Sequence, residues 1–261
     1  MDGQKRCRWQ RLQVGSFSGQ GGREQQQDSF GLCTPSPEKG MLAVVADGMG
    51  GLQNGGELAR MTVDVLLHHF QSTPVPTDER LELCDLCAVA RRTVETYLGP
   101  YGRGKGGTTL VMALLRRGKV SFLSVGDSRI ALVRSGGLVW LNRPHDYAAQ
   151  LSQLAVQGEI PLDQVLRDPQ RMALTSYLGS DRPLLVDVSP EPVTLVKGDR
   201  LLLLSDGVFG VLSRQEMTAC IKGTAGKTAE RLEKKILVKK ENDQDNFTGI
   251  VLRYGYRFWG G

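Results

Sequence analysis

The sequence has few aromatic residues and no long hydrophobic run. Phe, Trp and Tyr make up 6% of the 261 residues, and the longest unbroken apolar runs, such as Met41–Ala46, span six residues. A transmembrane helix needs about 18 apolar residues or more, so we expect no membrane-spanning segment. The basic N-terminus has no apolar stretch behind it, and we therefore expect no signal peptide. These features disfavour a membrane or secreted protein and predict a cytoplasmic one.

Cysteine and histidine are scarce as well. The five cysteines are an odd number, and the three histidines do not cluster with them at metal-ligand spacing. This pattern disfavours both a disulfide framework and a zinc or copper site. Cys84 and Cys87 have the spacing of a redox motif, but they fall inside a helical pattern, and we interpret them as structural.

Charge is not concentrated in any segment. The net charge of +5 comes from 33 Lys and Arg against 28 Asp and Glu, and the basic residues are scattered among acidic and apolar ones. Scattered charges are typical of a solvated surface, so no nucleic-acid partner is predicted.

Glycine is the residue that the sequence has in excess. It contributes 32 of the 261 residues, about 12% against a usual share of about 7%. The apolar content of 40% and the charged content of 23% are those of a globular protein. No repeat or Ser/Pro-rich linker divides the sequence, which favours one large domain.

The hydrophobic pattern predicts an α+β fold. Met41–Ala46 is typical of a buried strand, and residues 57–70 and 78–98 carry apolar side chains at helical spacing. Turns that separate three further strands are so short that we expect each strand to pair antiparallel with the next. These strands span 108–115, 120–125 and 129–134. After an irregular segment, 144–181, the pattern predicts strands at 184–188, 200–204 and 247–254 and helices at 214–221 and 227–238.

Four aspartates stand at the ends of apolar strands: Asp47, Asp127, Asp206 and Asp245. Asp-Gly is also a common hairpin turn, which is the simpler interpretation of any one of them. After Asp47 and Asp206, however, the sequence leads into helices, and an antiparallel sheet can bring several strand ends to one edge. Four carboxylates gathered there would repel each other unless cations neutralised them. Oxygen ligands without Cys or His favour Mg²⁺ or Mn²⁺.

A site of this kind suits phosphate chemistry. Two divalent ions about 3.5–4 Å apart lower the pKa of a water between them and neutralise phosphate oxygens. An arginine that binds the phosphate with two hydrogen bonds would complete the site. Arg23 lies five residues before Asp28 and ahead of the first predicted strand, although this spacing alone would indicate only a surface pair.

Taken together, six motifs resemble one known family. In order they are Gly22-Arg23 with Gln27-Asp28-Ser29, Ala46–Gly51, Gly107-Thr108-Thr109, Val125–Arg129, Leu204–Gly207, and Asp245-Asn246 with Thr248. Their order and spacing over about residues 15–254 are similar to those of the metal-dependent type 2C serine/threonine protein phosphatases, in their compact bacterial form.

The resemblance implies a fold, a reaction and partners. The fold would be a four-layer α-β-β-α sandwich with two central antiparallel sheets and a dinuclear metal cleft at one edge. A single phosphatase domain would span residues 15–256, with a flap at about 145–180, an N-terminal extension at 1–14 and a tail at 257–261. A metal-activated water would attack phosphoserine or phosphothreonine in line, without a phosphoenzyme. We expect a monomer that acts on phosphorylated proteins and opposes a serine/threonine kinase.

The resemblance also implies the residues of the site. Arg23 would bind the phosphate, and Asp28 would hold a metal-bound water. Five residues would bind Mn²⁺ or Mg²⁺: the bridging ligand Asp47, the Gly48 carbonyl, Asp206 and Asp245 at two core ions, and Asp127 at a third, weaker position. Of these, Arg23, Asp28 and Asp47 are the expected catalytic residues.

Several positions depart from the family pattern. Gln26 and Gln27 stand where Asn followed by Glu or Gln is usual, and Met49 stands where eukaryotic members have a histidine that protonates the leaving group. Since a thioether cannot donate a proton, the general acid is open between a metal-bound water and bulk water. His145 stands in Pro144-His145-Asp146, where members often have Asp-His-Ser. It has either a packing role or a role in the flap or active site.

Two segments resemble nucleotide-binding motifs, but each lacks a residue that its motif requires. An alternative function stays open. Gly99–Gly106 lacks the Ser or Thr that a P-loop needs after its lysine, and the segment from Gly48 lacks the third glycine of a dinucleotide motif. The alternative is a catalytically silent phosphatase-like module that binds phosphoproteins or regulates a partner. The intact Asp47, Asp206 and Asp245 disfavour that alternative.

Overall fold

Strands and helices follow one another in blocks in the computed structural model, which describes residues 12–49, 54–239 and 243–255. The strands are β1 (Leu12–Gly19), β2 (Asp28–Cys33), β3 (Met41–Met49), β4 (Gly107–Thr108), β5 (Leu110–Arg116), β6 (Lys119–Val125), β7 (Arg129–Arg134), β8 (Gly137–Trp140), β9 (Asp187–Val188), β10 (Val193–Thr194), β11 (Arg200–Leu204) and β12 (Phe247–Tyr254). The helices are α1 (Gly55–Ser72), α2 (Glu79–Gly102), α3 (Tyr147–Val156), α4 (Leu162–Arg167), α5 (Asp206–Phe209), α6 (Arg214–Cys220) and α7 (Ala225–Val238).

The strands form two antiparallel sheets. One sheet has the order β1-β12-β11-β7-β8. The other has the order β10-β6-β5-β3-β2, with β4 paired to β3 and β9 paired to β6. Every strand pair is antiparallel, which agrees with the predicted α+β class.

Three hydrophobic layers hold the two sheets and the helices together. Alternate residues of β3 point to opposite faces of its sheet, so Leu42 and Val44 pack towards α1 and α2, whereas Ala43 and Val45 pack between the sheets. The helices α6 and α7 cover the outer face of the other sheet through a third apolar layer. Both faces of β3 are therefore buried, which is why its sequence is an unbroken apolar run. The predicted four-layer α-β-β-α sandwich is confirmed.

The helices begin and end where local side chains allow. Asp78 caps α2 by accepting a hydrogen bond from the backbone of Arg80 at 2.8 Å, and Gly99, with a φ of +65°, interrupts α2 just before Pro100. Ser213 and Glu216 form a capping box at the start of α6. In the described residues no helix combines the length and the apolar character that crossing a bilayer requires.

One strand pairing predicted from the sequence is wrong. The β5–β6 hairpin forms as expected, but β7 does not pair with β6: it lies in the other sheet, between β11 and β8. The short turn Gly126–Ser128 therefore carries the chain from one sheet to the other. This crossing is possible because the sheets are stacked, and it brings Asp127 to the edge between them.

Other differences concern the ends of the chain and the irregular segment. The strand β1 pairs with β12 from Leu12 onwards, so the sheet begins before residue 15. Residues 1–11 of the expected extension, and the expected tail at 257–261, lie outside the described residues. Within the expected flap, the chain forms α3 and α4, and the strand expected at 184–188 is reduced to β9.

Candidate functional site

A cleft of about 720 Å³ opens at the edge of the sandwich where β3, β6 and β11 end. It collects residues from seven segments that are separated in sequence. Its lining consists of Arg23, Glu24, Gln25, Gln27, Asp47, Gly48, Met49, Thr109, Asp127, Met172, Ala173, Leu174, Asp206 and Asp245. All four strand-end aspartates predicted from the sequence therefore face one cavity.

The strand pair β2–β3 brings Asp28 and Asp47 together. Their Cα atoms are partners in the antiparallel register, and the Thr109 hydroxyl accepts a hydrogen bond from the Asp47 backbone N–H at 3.1 Å. Gly48 has no room for a side chain, because a Cβ there would overlap the carbonyl of Gly55 at the start of α1. This close approach leaves the Gly48 backbone at the cleft surface.

Asp127 lies in the turn that crosses between the sheets. The preceding Gly126 has a φ of +97°, a backbone conformation that side chains rarely permit. The Ser128 hydroxyl and the Thr109 hydroxyl are 2.8 Å apart, which ties the turn to β5. Asp127 is 8% exposed, so its carboxylate lies at the inner part of the cleft.

Asp206 begins the short helix α5, and the residue before it fixes the buried Asp28. The Ser205 hydroxyl donates to Asp28 Oδ2 at 2.7 Å and accepts from the backbone N–H of Thr248 at 2.9 Å. Ser205 therefore joins β11, β12 and the start of β2 beneath the cleft. The sequence analysis missed this role, although Ser205 stands inside one of the quoted motifs.

Arg23 reaches the cleft from the loop between β1 and β2. Its guanidinium donates to Asp245 Oδ2 at 2.7 Å, and its side chain is 56% exposed at the mouth of the cleft. The loop itself is held by Asn246, whose Nδ2 donates to the carbonyls of Gln20 (2.7 Å) and Gln25 (3.0 Å). Asn246 is a second residue whose role sequence analysis missed.

Gln26, which replaces the usual Asn, and the neighbouring Gln27 both make hydrogen bonds. Gln26 Nε2 donates to the Ser18 hydroxyl at 2.8 Å, and Gln26 Oε1 accepts from the backbone N–H of Asp28 at 3.3 Å. Its longer side chain thus spans from β1 to the start of β2. Gln27 and Met49 line the cleft, and the backbone N–H of Gln27 donates to Asn246 Oδ1 at 2.8 Å.

Burial and mutual repulsion raise the pKa of the carboxyl groups in the site. Burial, only partly offset by the hydrogen bond from Ser205, raises the pKa of Asp28 to about 6. Burial and the charge of Asp206 raise the pKa of Asp127 to about 7. Burial, followed by the charges of Asp28 and Asp206, raises the pKa of Asp47 well above its ordinary value. Protons and cations therefore compete for the same oxygens.

The donor atoms fit hard divalent cations. The cleft presents carboxylate and backbone oxygens without Cys or His, and Asp28 Oδ1 is buried with no hydrogen-bond partner in the described residues. In those residues no group of three or more His, Cys, Asp or Glu side chains is already arranged to hold an ion. Instead, Asp47 and Asp206 lie close enough for the charge of Asp206 to raise the pKa of Asp47, and Arg23 pairs with Asp245.

Known proteins share this sequence pattern and this fold. The family model described as "Protein phosphatase 2C" matches residues 20–240. The serine/threonine phosphatase Stp of Listeria welshimeri is 28% identical over 218 residues, which cover 81% of this chain and 83% of the relative.

Two solved structures are similar over almost the whole chain. One is the PPM Ser-Thr phosphatase MsPP of Mycobacterium smegmatis in complex with cacodylate: 26% identity, a TM-score of 0.75, and 94% of this chain and 99% of that chain covered. The other is the catalytic domain of the phosphatase PstP in complex with two manganese ions. It is 22% identical, with a TM-score of 0.73 and the same coverage, and at that identity it supports the fold alone. The chain belongs to the protein phosphatase 2C family.

Proposed function

We propose that the cleft hydrolyses phosphoserine and phosphothreonine in proteins, with a metal-activated water as the attacking group. The observation that carries this proposal is the convergence of Asp47, Asp127, Asp206 and Asp245 on one cavity, with Arg23 at its mouth. Membership of the protein phosphatase 2C family and the similarity to the Listeria serine/threonine phosphatase support the same activity.

The carboxylates are the groups that would hold the cations. Asp47 would bridge two ions, the Gly48 carbonyl, Asp206 and Asp245 would complete their protein ligands, and Asp127 would bind a third. When bound, Mn²⁺ or Mg²⁺ ions would lower the pKa of a water and offset the charge of the phosphate. The oxygen ligands suit either ion; we choose Mn²⁺ as the first to test because the PstP structure of the same fold was determined with manganese.

Asp28 and Arg23 would act on the two reactants. The free oxygen Oδ1 of Asp28 would accept a hydrogen bond from a water and orient it. Arg23 would break its hydrogen bond to Asp245 and donate two hydrogen bonds to the phosphate. The planar guanidinium is suited to this two-point contact. The exposed position of Arg23 allows this exchange without a change in the fold.

We assign protonation of the leaving group to water. The described residues that line the cleft include no His, Lys, Cys or Tyr, and Met49 has no proton to donate. The strand-end carboxyl groups would be kept ionised by the cations that they hold. The serine or threonine oxygen would leave towards the open side of the cleft, where solvent has access.

We further propose that the chain forms a single phosphatase domain, which includes β1 from Leu12 and ends at about residue 256. We propose that this domain acts as a monomer in the cytoplasm on proteins that a serine/threonine kinase has phosphorylated. The size of the cleft suits a phosphorylated segment of a protein.

Manganese-dependent turnover of a phosphothreonine peptide tests the function. We expect activity that is lost on chelation and lost in Asp47→Asn and Asp206→Asn. Asp64→Asn, on the exposed face of α1, makes the same chemical change away from the cleft and should keep wild-type activity. An active Asp206→Asn protein would refute the mechanism, and a folded wild type that binds but never hydrolyses phosphopeptides would favour the silent module.

A further inference from the structure

His145 lies at the base of the flap and contacts the turn that carries Asp127. Gly126 donates its backbone N–H to His145 Nδ1 at 3.0 Å, and the backbone N–H of His145 donates to the Gly126 carbonyl at 2.9 Å. One residue therefore satisfies both backbone groups of Gly126. Because Asp127 is the next residue, the direction of its carboxylate depends on this contact.

The flap leaves the sandwich through residues 145–147, its outgoing leg, and comes back through residues 173–175, its returning leg. His145 also binds the returning leg. The His145 carbonyl accepts from the backbone N–H of Thr175 at 2.8 Å. Next to it, Asp146 pairs with Leu174, and the N–H of Tyr147 donates to the Ala173 carbonyl at 2.9 Å. The two legs of the flap thus form a short ladder that begins at His145.

The returning leg reaches the cleft directly. Met172, Ala173 and Leu174 line the cavity, and Met172 is 59% exposed. On the outgoing leg, Asp146 caps α3 by accepting from the Ala149 N–H at 2.7 Å. We call residues 172–174 the flap wall, because they form one side of the cleft. A shift of the ladder would therefore move both the flap wall and the start of α3.

We propose that His145 is a positioning residue that fixes the Gly126–Asp127 turn to both legs of the flap. It thereby holds Asp127 at a constant position and orientation relative to the flap wall. This inference rests on the proposed phosphatase function. It replaces the two open interpretations of His145 with a defined contact: the ring acts as a hydrogen-bond acceptor, and it does not touch the reacting atoms.

The chemistry of the ring agrees with this role. An Nδ1 atom that accepts a backbone N–H must be unprotonated, so the proton of the neutral ring is on Nε2. Burial lowers the pKa of His145, although Asp187 and Asp146 oppose this effect, and the ring is therefore neutral at pH 7.5. An apolar ring of the same size would fill the space but leave the Gly126 N–H without its partner.

Three substitutions separate the acceptor from the bulk of the ring. In His145→Asn the side-chain oxygen can take the place of Nδ1, whereas His145→Phe keeps the ring and removes the acceptor, and His145→Gln places its oxygen one bond further out. At pH 7.5 we expect His145→Phe to lower kcat for a phosphothreonine peptide about 10- to 100-fold, as losses of partners behind metal ligands do. His145→Asn should stay within about threefold of wild type, and His145→Gln should resemble Phe.

A double-mutant cycle tests whether His145 acts through Asp127. We expect His145→Phe to raise the Mn²⁺ concentration for half-maximal activity, and to cause little further loss of kcat in an Asp127→Ala background. Independent effects that multiply in the double mutant would overturn the proposal. So would a His145→Asn protein as impaired as His145→Phe, because the acceptor would then not matter.

Hydrogen exchange supplies a measurement that does not need activity. In chelated protein, we expect the Gly126 and Thr175 amides to exchange at least about tenfold faster in His145→Phe than in wild type or His145→Asn. Equal protection in all proteins would contradict the proposal even if the phosphatase function holds. Conversely, an inactive wild type with this exchange pattern would refute only the function. If His145→Phe does not fold, the comparison of His145→Gln with His145→Asn decides in the same way.

Discussion

The carboxamide of Asn246 holds the loop that carries Arg23 with both of its polar atoms. Its nitrogen donates to two carbonyls of the loop, and its oxygen accepts from the Gln27 N–H at 2.8 Å. Asn246 is 4% exposed, so its own carboxamide is satisfied by these contacts with the loop. Arg23, which we propose binds the phosphate, is thus positioned by a residue that does not line the cleft.

Replacing Asn246 by Asp tests this positioning. The carboxylate keeps an acceptor for Gln27 but loses both donors, so we expect unfolding free energy to fall by about 1–3 kcal/mol. We expect kcat/KM for a phosphopeptide to fall about 10- to 100-fold as Arg23 loses its placement. Chemical denaturation and steady-state kinetics measure the two effects, and unchanged kinetics would show that the loop does not need Asn246.

Single residues also show what the sequence could predict. Asp47, Asp127 and Asp206 were predictable because apolar strands that lead into Asp-Gly or Asp-Ser are local patterns, and Asp245 because Asp-Asn stands directly before an apolar strand. The contact between Asn246 and Gln20 spans 226 residues, and no local pattern contains it. The same holds for the bond between Ser205 and Asp28, which requires the stacked sheets to be known.

Among the elements, the helix α2 is fixed to its sheet by a buried ionic network. Glu82 pairs with Arg116 of β5 at 2.6 Å and with Lys39 at 3.2 Å, and all three side chains are almost fully buried. Lys39 also donates to the carbonyls of Thr73 and Pro74, which follow α1. The network thus joins the ends of α1 and α2 to β5.

Glu82→Gln should destabilise the protein strongly, because it removes the negative charge that the buried Lys39 and Arg116 share and leaves only Glu79, at 3.9 Å from Arg116. We expect a loss of about 3–5 kcal/mol in unfolding free energy by urea denaturation. Asp163→Asn removes an exposed partner of Arg167 and should change stability by less than about 0.5 kcal/mol. Similar small losses in both variants would mean that the network is not what fixes α2.

Elements were predictable to different degrees. The strands β3, β5 and β11 carry continuous apolar runs and β12 carries a shorter one, so their positions follow from the sequence. Edge strands such as β8, with alternating partial exposure, lack that signal. The predicted pairing of β7 with β6 was wrong. A short turn limits which strands can be neighbours within one sheet, but it does not show whether the chain crosses to a second sheet.

For the molecule as a whole, the raised carboxyl pKa values link stability to pH and metal. Asp28 and Asp127 have pKa values of about 6 and 7, above about 3.9 for an unfolded aspartate. Their contribution to the stability of the chelated protein is therefore present at low pH and is lost as pH rises through 4 to 7. Bound cations would neutralise the ionised carboxylates and so restore the lost stability.

The increase in Tm caused by Mn²⁺ should accordingly be small at pH 5 and reach several degrees at pH 7.5. Thermal unfolding with Mn²⁺ or with chelator, across this pH range, measures the difference. In Asp127→Asn the pH dependence of this difference should weaken, because one of the titrating groups is gone. A metal effect that does not vary with pH would contradict the linkage.

The two sheets, the crossing turn and the loop before β2 together build one cavity, which we propose holds cations and a phosphate. Anomalous diffraction at the manganese absorption edge, from crystals grown with Mn²⁺, tests that claim most directly. We predict at least two anomalous peaks in the cleft, within ligand distance of Asp47, Asp206 and Asp245. A map with manganese bound elsewhere, and no peak between these three carboxylates, would contradict it.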